Sequence, residues 1–240
     1  MTCTPALVQA LTASVLPQGL AVVARDPRDV PGAVDPVEQG AVQNAVPRRV
    51  AEFHAGRAAA RAGMVELALP PRPVPMGPDR APVWPAGVTG SISHTDKACV
   101  AVLGCSRDWA GIGVDLEDAK PLDPLLVAQV CSVSEQAWLG IQPPRDRGLM
   151  AKLIFSIKEA AYKAQYPLTQ QLFGYDGMRI KIDRANSQFT ATFVMPQGMI
   201  AAGATLAGNY AHAAGLMVTA VALRQENVAQ LMQGRGDRTG

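Results

Sequence analysis

The stretch Gly111-Ile112-Gly113-Val114-Asp115-Leu116-Glu117 ends an apolar run with two carboxylates and predicts a β-strand. Side chains two residues apart in a strand leave on the same face, so Asp115 and Glu117 point the same way. Neighbouring carboxylates repel unless a cation neutralises them, which Mg²⁺ does well through oxygen ligands. The stretch therefore predicts a metal site. The alternative is a strand that ends in solvent with two ordinary surface acids.

A second charged motif follows about forty residues later and reads FSIKEAAYK over residues 155–163. The segment is rich in helix formers, and Glu159 and Lys163 share one helix face in the favourable Glu-to-Lys order. Taken alone, the pair is equally well an ordinary salt bridge on a solvated helix. Beside Asp115 and Glu117, the motif offers a third carboxylate for the metal and an adjacent cation.

Two more motifs lie upstream: residues 52–61 read EFHAGRAAAR and residues 84–94 read WPAGVTGSISH. In this order, over about residues 48–163, the four motifs resemble the 4'-phosphopantetheinyl transferases. Within that family, the chain resembles the long Sfp-type class and its enterobactin-synthase-component-D-like branch. The last third of the chain resembles the family only loosely.

The resemblance implies transfer of the phosphopantetheine arm of coenzyme A to a serine of an apo acyl, peptidyl or aryl carrier protein, with release of 3',5'-ADP. It implies a pathway of siderophore or other secondary-metabolite biosynthesis. It also implies an α+β fold in which two similar α/β halves are related by a pseudo-twofold axis. Coenzyme A would lie in the cleft between the halves of a pseudodimeric monomer.

The resemblance also implies roles for the charged residues. Asp115, Glu117 and Glu159 would hold Mg²⁺, and Mn²⁺ is equally compatible with such oxygen ligands. Phosphoryl-type transfer depends mainly on positioning and on neutralising pyrophosphate charge. Lys163 and Lys158, together with the metal-bearing Asp115, would therefore meet coenzyme A. Glu159 is the predicted base for the carrier serine, directly or through water.

His94 closes the Gly-Ser-Ile-Ser-His run and is one of three histidines. A histidine at a strand end is often simply packed in the structure. The resemblance implies instead that His94 contacts a phosphate of coenzyme A and that Ser93 lies beside it. A neighbouring phosphate raises proton affinity, so a charged imidazole is expected there.

Several arginines form a further candidate group for phosphate binding. Arg57 and Arg61 are one helical turn apart, and Arg49 lies about two turns before Arg57. Such a stripe is usually a solvated face. The resemblance makes Arg49 and Arg57 candidates for the 3'-phosphate and adenine end, because guanidinium groups match phosphate geometry. Arg80 adds a cation, and Arg61 stays unassigned. Relatives often carry a lysine near the position of Met76, so the set of residues assigned to phosphate binding is incomplete.

Composition narrows the partners and the compartment. A net charge of +2 over 240 residues is too small to predict nucleic-acid binding. Between residues 39 and 78, however, five arginines face only two acids, which suits an anionic cofactor and an acidic carrier protein. The four cysteines show no metal-ligand spacing, which favours a reducing cytoplasm. Residues 1–23 lack the Lys or Arg expected of a signal peptide, and Thr, Ser, Gln and Pro interrupt the apolar run, so neither a signal peptide nor a membrane span is expected.

Hydrophobic patterns predict strands at 20–24, 90–93, 98–104, 111–117, 179–182, 188–195 and 216–224. They predict helices at 37–67 with a break near Pro47, and at 123–130, 134–140 and 146–166, whereas the proline-rich residues 69–88 are expected to be irregular. This order predicts two α+β halves, residues 1–117 and 118–224. Residues 225–240 are expected to form a polar, frayed tail in which Arg235-Gly236-Asp237 is a chance tripeptide.

Two other functions would use some of the same residues. A Mg²⁺-dependent phosphohydrolase would use the three carboxylates to activate water, but it would not need residues 52–61 and 84–94. A non-catalytic binder of coenzyme A or carrier proteins would keep the fold and lose metal ligands or lysines, all of which are present here. Carrier choice depends on surfaces outside the motifs, so the sequence leaves it open.

Overall fold

The computed structural model describes residues 3–29 and 35–233. Its helices are α1 (Pro5–Ala13), α2 (Pro36–Gln39), α3 (Pro47–Glu66), α4 (Pro124–Val130), α5 (Val133–Gly140), α6 (Pro144–Thr169) and α7 (Val228–Gln233). Its strands are β1 (Ala21–Arg25), β2 (Val88–His94), β3 (Cys99–Cys105), β4 (Trp109–Asp118), β5 (Met178–Asp183), β6 (Gln188–Phe193), β7 (Thr205–Ala213) and β8 (Leu216–Arg224). Over the described ranges, no helix has both the length and the hydrophobicity that crossing a bilayer requires.

Three elements differ from the sequence prediction: α1, β7 and α7 were not expected. β7 contains Gly208, Asn209 and His212 in place of a β-branched run, and it forms because β6 and β8 pair with it on both sides. α7 lies in the expected polar tail, yet its Leu231 is buried in the core, so that part of the prediction is wrong. Residues 234–240, with Arg235-Gly236-Asp237, lie outside the described residues.

A three-stranded antiparallel sheet in the order β1-β3-β2 forms the first layer. α3 packs on it closely because Gly56 faces Ile92 and Gly63 faces Leu103 without side chains of their own. α3 begins at Pro47, the predicted break, since proline is tolerated in the first turn of a helix. This packing holds the N-terminal turns of α3 beside the end of β2.

A five-stranded antiparallel sheet in the order β4-β8-β7-β6-β5 forms the second layer. α6 packs on one face of this sheet, above a core that α4 and α5 help to close. On β4, Ile112, Val114 and Leu116 face the opposite way, into a cluster with α1 and the small sheet. The alternation of strand side chains therefore leaves Asp115 and Glu117 on one face of β4, as the sequence predicted, and that face lies toward α6.

The pairing of β4 changes the predicted boundary between the halves. β4 pairs with β8 along its length, with Asp115 opposite Thr219, so it belongs to the larger sheet. If the chain is divided by strand pairing, the boundary between the two halves falls in the turn 106–108, between β3 and β4. The predicted boundary at 117/118 lies one strand later. The pseudo-twofold relation of the halves stays a prediction.

α6 lies directly on β4 because two glycines leave room for its backbone. A Cβ atom on Gly111 would overlap the carbonyl oxygen of Ala164, and one on Gly113 would overlap that of Ala160. Ala160 and Ala164 are themselves fully buried. The Gly-x-Gly pattern before Asp115 is thus a packing requirement that sets how close the helix comes to the strand.

We expect Gly113→Ala to destabilise the fold by about 3 kcal/mol, because overpacking against helix backbone cannot be relieved by a side-chain rotation. The matched control is Gly140→Ala, since a Cβ there meets nothing within 4 Å. Urea unfolding of both variants measures the difference. Equal stability of the two variants would contradict the packing argument.

Candidate active site

Asp115 is buried where β4, β2 and α6 meet. Its Oδ1 accepts hydrogen bonds from Lys163 Nζ at 2.7 Å and from Ser93 Oγ at 3.1 Å. Lys163 also donates to the carbonyl of Val114 at 3.2 Å, so the amine is held against β4. The structure thus brings together Asp115 and Lys163, which lie in separate motifs of the sequence.

The second carboxylate oxygen of Asp115, Oδ2, is buried without a hydrogen-bond partner among the described residues. A buried carboxylate oxygen without a partner is costly, because it has lost its hydration. Two donors already use Oδ1. A hard cation at Oδ2 would therefore satisfy the free oxygen without displacing either donor.

Glu117 lies on the same face of β4, where its Oε2 accepts from Lys152 Nζ at 3.1 Å. Burial raises the pKa of Glu117 and the neighbouring Asp115 raises it further, whereas Lys152 lowers it. The repulsion between the two carboxylates that the sequence predicted is therefore present. Lys152 offsets part of it, and the sequence did not single out that residue.

Glu159 is held by a residue that sequence reasoning missed. Tyr175 donates its hydroxyl to Glu159 Oε1 at 2.9 Å. Burial and then Glu159 raise the pKa of Tyr175, so the phenol stays a neutral donor. Asp115 and Glu117 raise the same pKa to a smaller extent. No spacing signal in the sequence links Tyr175, which follows the helix in a short turn, to Glu159.

The proposed metal ligands carry the oxygen atoms that a hard metal ion prefers, but their side chains do not converge on one position. Across residues 3–29 and 35–233, no group of three or more His, Cys, Asp or Glu side chains is arranged to hold a metal ion. Lys163 and Lys152 instead neutralise Asp115 and Glu117. Carboxylate oxygens and the unpartnered Oδ2 of Asp115 are nevertheless the donors that Mg²⁺ prefers. The three-carboxylate metal site stays a prediction.

Lys158 does not face this site. Its side chain is 3% exposed, and its Nζ donates to Glu135 Oε2 at 2.8 Å. It also donates to the carbonyls of Val130 at 2.8 Å and Tyr175 at 2.9 Å. All three donor positions of the amine are therefore used. We correct the sequence prediction accordingly: Lys158 joins α6 to α5 and to the turn at Tyr175, and it is not available to pyrophosphate.

His94 belongs to a polar cluster at the end of β2. Its Nε2 lies 2.5 Å from the guanidinium of Arg49, and its Nδ1 lies 3.4 Å from Glu52 Oε2. Burial and then Arg49 lower the pKa of His94. Arginine can only donate, so the neutral ring accepts at Nε2 and carries its proton on Nδ1, toward Glu52. The charged imidazole expected from the sequence would therefore require a further anion beside the ring.

Arg57 is buried without a full set of partners. Its guanidinium lies 4.3 Å from the centre of the Phe53 ring, and its Nε has no hydrogen-bond partner among the described residues. Burial lowers the pKa of Arg57 to about 10, and an anion would offset that desolvation. Arg61, by contrast, lies 2.5 Å from the fully buried Glu38. Arg57 thus suits a phosphate better than Arg61 does.

A cleft of about 740 Å³ opens between residues 77–84 and the C-terminal part of α6. Lys163 and Arg80 line it, together with the aromatic side chains of Trp84, Tyr162 and Tyr166. The Tyr166 hydroxyl donates to Asp79, which ties the loop to the helix. Cations beside aromatic rings suit an anionic ligand that also carries a planar ring.

We expect Lys158→Met to lower the free energy of unfolding by about 3 kcal/mol or more, because Glu135 would be left buried without its cation. Lys181→Met, at an exposed lysine of β5, is the control and should change stability little. Urea unfolding and coenzyme A titration of both variants provide the measurement. Unchanged stability with a large loss of coenzyme A affinity would return Lys158 to the binding site.

Comparison with known proteins agrees with this arrangement. Residues 37–104 match the family model of the 4'-phosphopantetheinyl transferase N-terminal domain, and residues 111–214 match that of the 4'-phosphopantetheinyl transferase superfamily. The two matches meet between β3 and β4, where strand pairing divides the chain.

Among its relatives, the chain is 37% identical to 4'-phosphopantetheinyl transferase Svp of Streptomyces mobaraensis, over 82% of this chain and 81% of that protein. It is 30% identical to Npt of Nocardia iowensis over 87% and 98% of the two chains. It is 38% identical to enterobactin synthase component D of Salmonella typhimurium over 49% and 48%. The resemblance predicted from the four motifs is confirmed, and the chain belongs to the 4'-phosphopantetheinyl transferase superfamily.

Proposed function

We propose that the protein transfers the 4'-phosphopantetheine arm of coenzyme A to a serine hydroxyl of an apo carrier protein and releases 3',5'-ADP. One observation carries the proposal: Asp115 is buried beside Lys163, its Oδ2 has no hydrogen-bond partner within the described ranges, and Lys163 lines the cleft. A site for a cation and a cationic side chain therefore adjoin a space for an anionic ligand.

The reaction requires one bond to form at phosphorus and one to break. The serine oxygen attacks the phosphorus that bears the pantetheine arm, and the bond from that phosphorus to the bridging oxygen of the pyrophosphate breaks. Glu159 accepts the serine proton, directly or through water. Tyr175 keeps one oxygen of Glu159 fixed by its hydrogen bond, which leaves the other carboxylate oxygen for that proton.

Charge neutralisation is the main task of the remaining residues. When bound, Mg²⁺ supplies positive charge to the pyrophosphate oxygens, and Asp115, Glu117 and Glu159 would hold it. Lys163 contacts Asp115 and lines the cleft, and its side chain is 27% exposed. Its contact with Asp115 keeps the amine oriented.

The other end of coenzyme A carries the 3'-phosphate, for which we propose Arg49, Arg57 and His94. Arg49 and His94 already touch, so a phosphate between them would gain two donors in fixed positions. Arg80 would add a cation on the loop side of the cleft. Ser93 is not assigned to the phosphate, because its hydroxyl is used within the protein.

We propose acyl, peptidyl or aryl carrier proteins of siderophore or related secondary-metabolite synthesis as partners, since enterobactin synthase component D is among the relatives. A monomer in the cytoplasm is the proposed state. The four cysteines are free, which is compatible with a reducing compartment.

The test is the intact mass of a panel of apo carrier proteins after incubation with this protein, coenzyme A and Mg²⁺. We expect one phosphopantetheine to be added, and the addition to stop when the metal is chelated. Hydrolysis of coenzyme A without a mass gain on any carrier would favour a phosphohydrolase. Binding of coenzyme A without turnover would favour a non-catalytic binder.

We expect Asp115→Asn to lower kcat about 100-fold or more, because several kcal/mol of charge stabilisation depend on that carboxylate. Asp118→Asn is the matched control, since Asp118 ends the same strand and forms ion pairs with the half-buried Lys97 and the exposed Lys120. Steady-state transfer rates measure both. Similar rates for the two variants would contradict the assignment of Asp115.

A further inference from the structure

The free edge of β4 faces β2, and two serines bridge the gap. β4 pairs only with β8 among the described strands, so its other edge has backbone N–H groups that need partners. The N–H of Val114 donates to Ser91 Oγ at 3.1 Å, and the N–H of Leu116 donates to Ser93 Oγ at 3.0 Å. We call these two hydrogen bonds the serine seam.

The serine seam joins the small sheet to the large one through side chains. Ser91 and Ser93 are two residues apart on β2, so their side chains leave on one face and meet alternate residues of β4. Both serines are buried, at 3% and 6% exposure, so solvent water does not readily replace a hydrogen-bond partner that is lost there. Each hydroxyl therefore satisfies one buried N–H donor at the junction of the two sheets.

Ser93 makes a second contact that Ser91 does not share. Its hydroxyl donates to Asp115 Oδ1 at 3.1 Å while it accepts from Leu116. Lys163 donates to the same oxygen at 2.7 Å. Two donors on Oδ1 fix the rotation of the carboxylate about its side-chain bonds. The fixed orientation leaves Oδ2 as the carboxylate oxygen that no group in residues 3–29 and 35–233 contacts by a hydrogen bond.

We infer that Ser93 is a positioning residue that orients Asp115 for cation binding from the opposite half of the molecule. The inference rests on the proposed function, because it concerns how the same carboxylate is presented to the metal. Lys163 alone would leave the carboxylate free to rotate about a single donor. Ser93 belongs to β2 of the small sheet, so the geometry of the cation site depends on the two sheets being joined in the correct register.

The test compares Ser93→Ala with Ser91→Ala, which is a matched control within the same strand. Each variant removes one hydroxyl and leaves one buried N–H of β4 without its partner, so both should lower the midpoint of urea unfolding. Only Ser93→Ala also removes a donor from Asp115. The two variants therefore separate the loss of the serine seam from the loss of carboxylate orientation.

The binding of Mn²⁺, followed by electron paramagnetic resonance with coenzyme A present and no carrier protein, is the first readout. We expect Ser93→Ala to weaken Mn²⁺ binding about 10-fold, the size found when a partner that orients a metal ligand is lost, and Ser91→Ala to change it by less than about 2-fold. In transfer assays, Ser93→Ala should lower kcat about 10-fold and leave KM for coenzyme A within about 2-fold.

Equal Mn²⁺ affinities in the two variants would overturn the inference, because Ser93 would then act only through the serine seam. A rise of KM for coenzyme A in Ser93→Ala, with Mn²⁺ affinity unchanged, would also overturn it and return Ser93 to the phosphate end. The unsubstituted protein separates these results from a failure of the proposed function. If it transfers no phosphopantetheine and binds no Mn²⁺, both proposals fail together; if it does both, only the comparison of the serines decides.

Discussion

The close contact between α6 and β4 is the constraint on which the candidate site depends. Gly111 and Gly113 lack side chains, so the helix backbone at Ala160 and Ala164 reaches the strand. At this separation, the amine of Lys163 meets a carboxylate and a carbonyl of β4. Protein interiors are close-packed, so a shift of the helix by one methyl group would move every polar group that it presents. The same contact therefore sets both the stability and the geometry of the site.

The charged residues of α6 divide according to the surface that each one faces. Lys158 is enclosed with Glu135 and stabilises the junction with α5. Lys152 and Lys163 face β4, where each neutralises one carboxylate of the strand. Glu159 turns toward the short segment after the helix. One helix thus supplies a buried structural ion pair and the charges of the site, because successive residues of a helix point in different directions.

Periodic patterns predicted the elements whose residue types recur at the spacing of a strand or a helix. β4 was expected at 111–117 and spans Trp109–Asp118, and α6 was expected at 146–166 and spans Pro144–Thr169. β7 was missed because its small and polar residues carry no such alternation, and pairing on both edges forms it instead. The sheet to which β4 belongs was also missed. That depends on β8, about a hundred residues later in the chain, and no local pattern encodes such pairing.

The sequence by itself determined the family and the types of chemical group at the site: two carboxylates on one face of a strand, and a glutamate and a lysine one turn apart on a helix. Only the tertiary structure decided which of these groups are available. Lys158 is enclosed by Glu135, and the hydroxyl of Ser93 is used by Asp115 and the backbone of β4. Burial and hydrogen-bond partners come from residues far apart in the chain, so spacing within a motif cannot specify them.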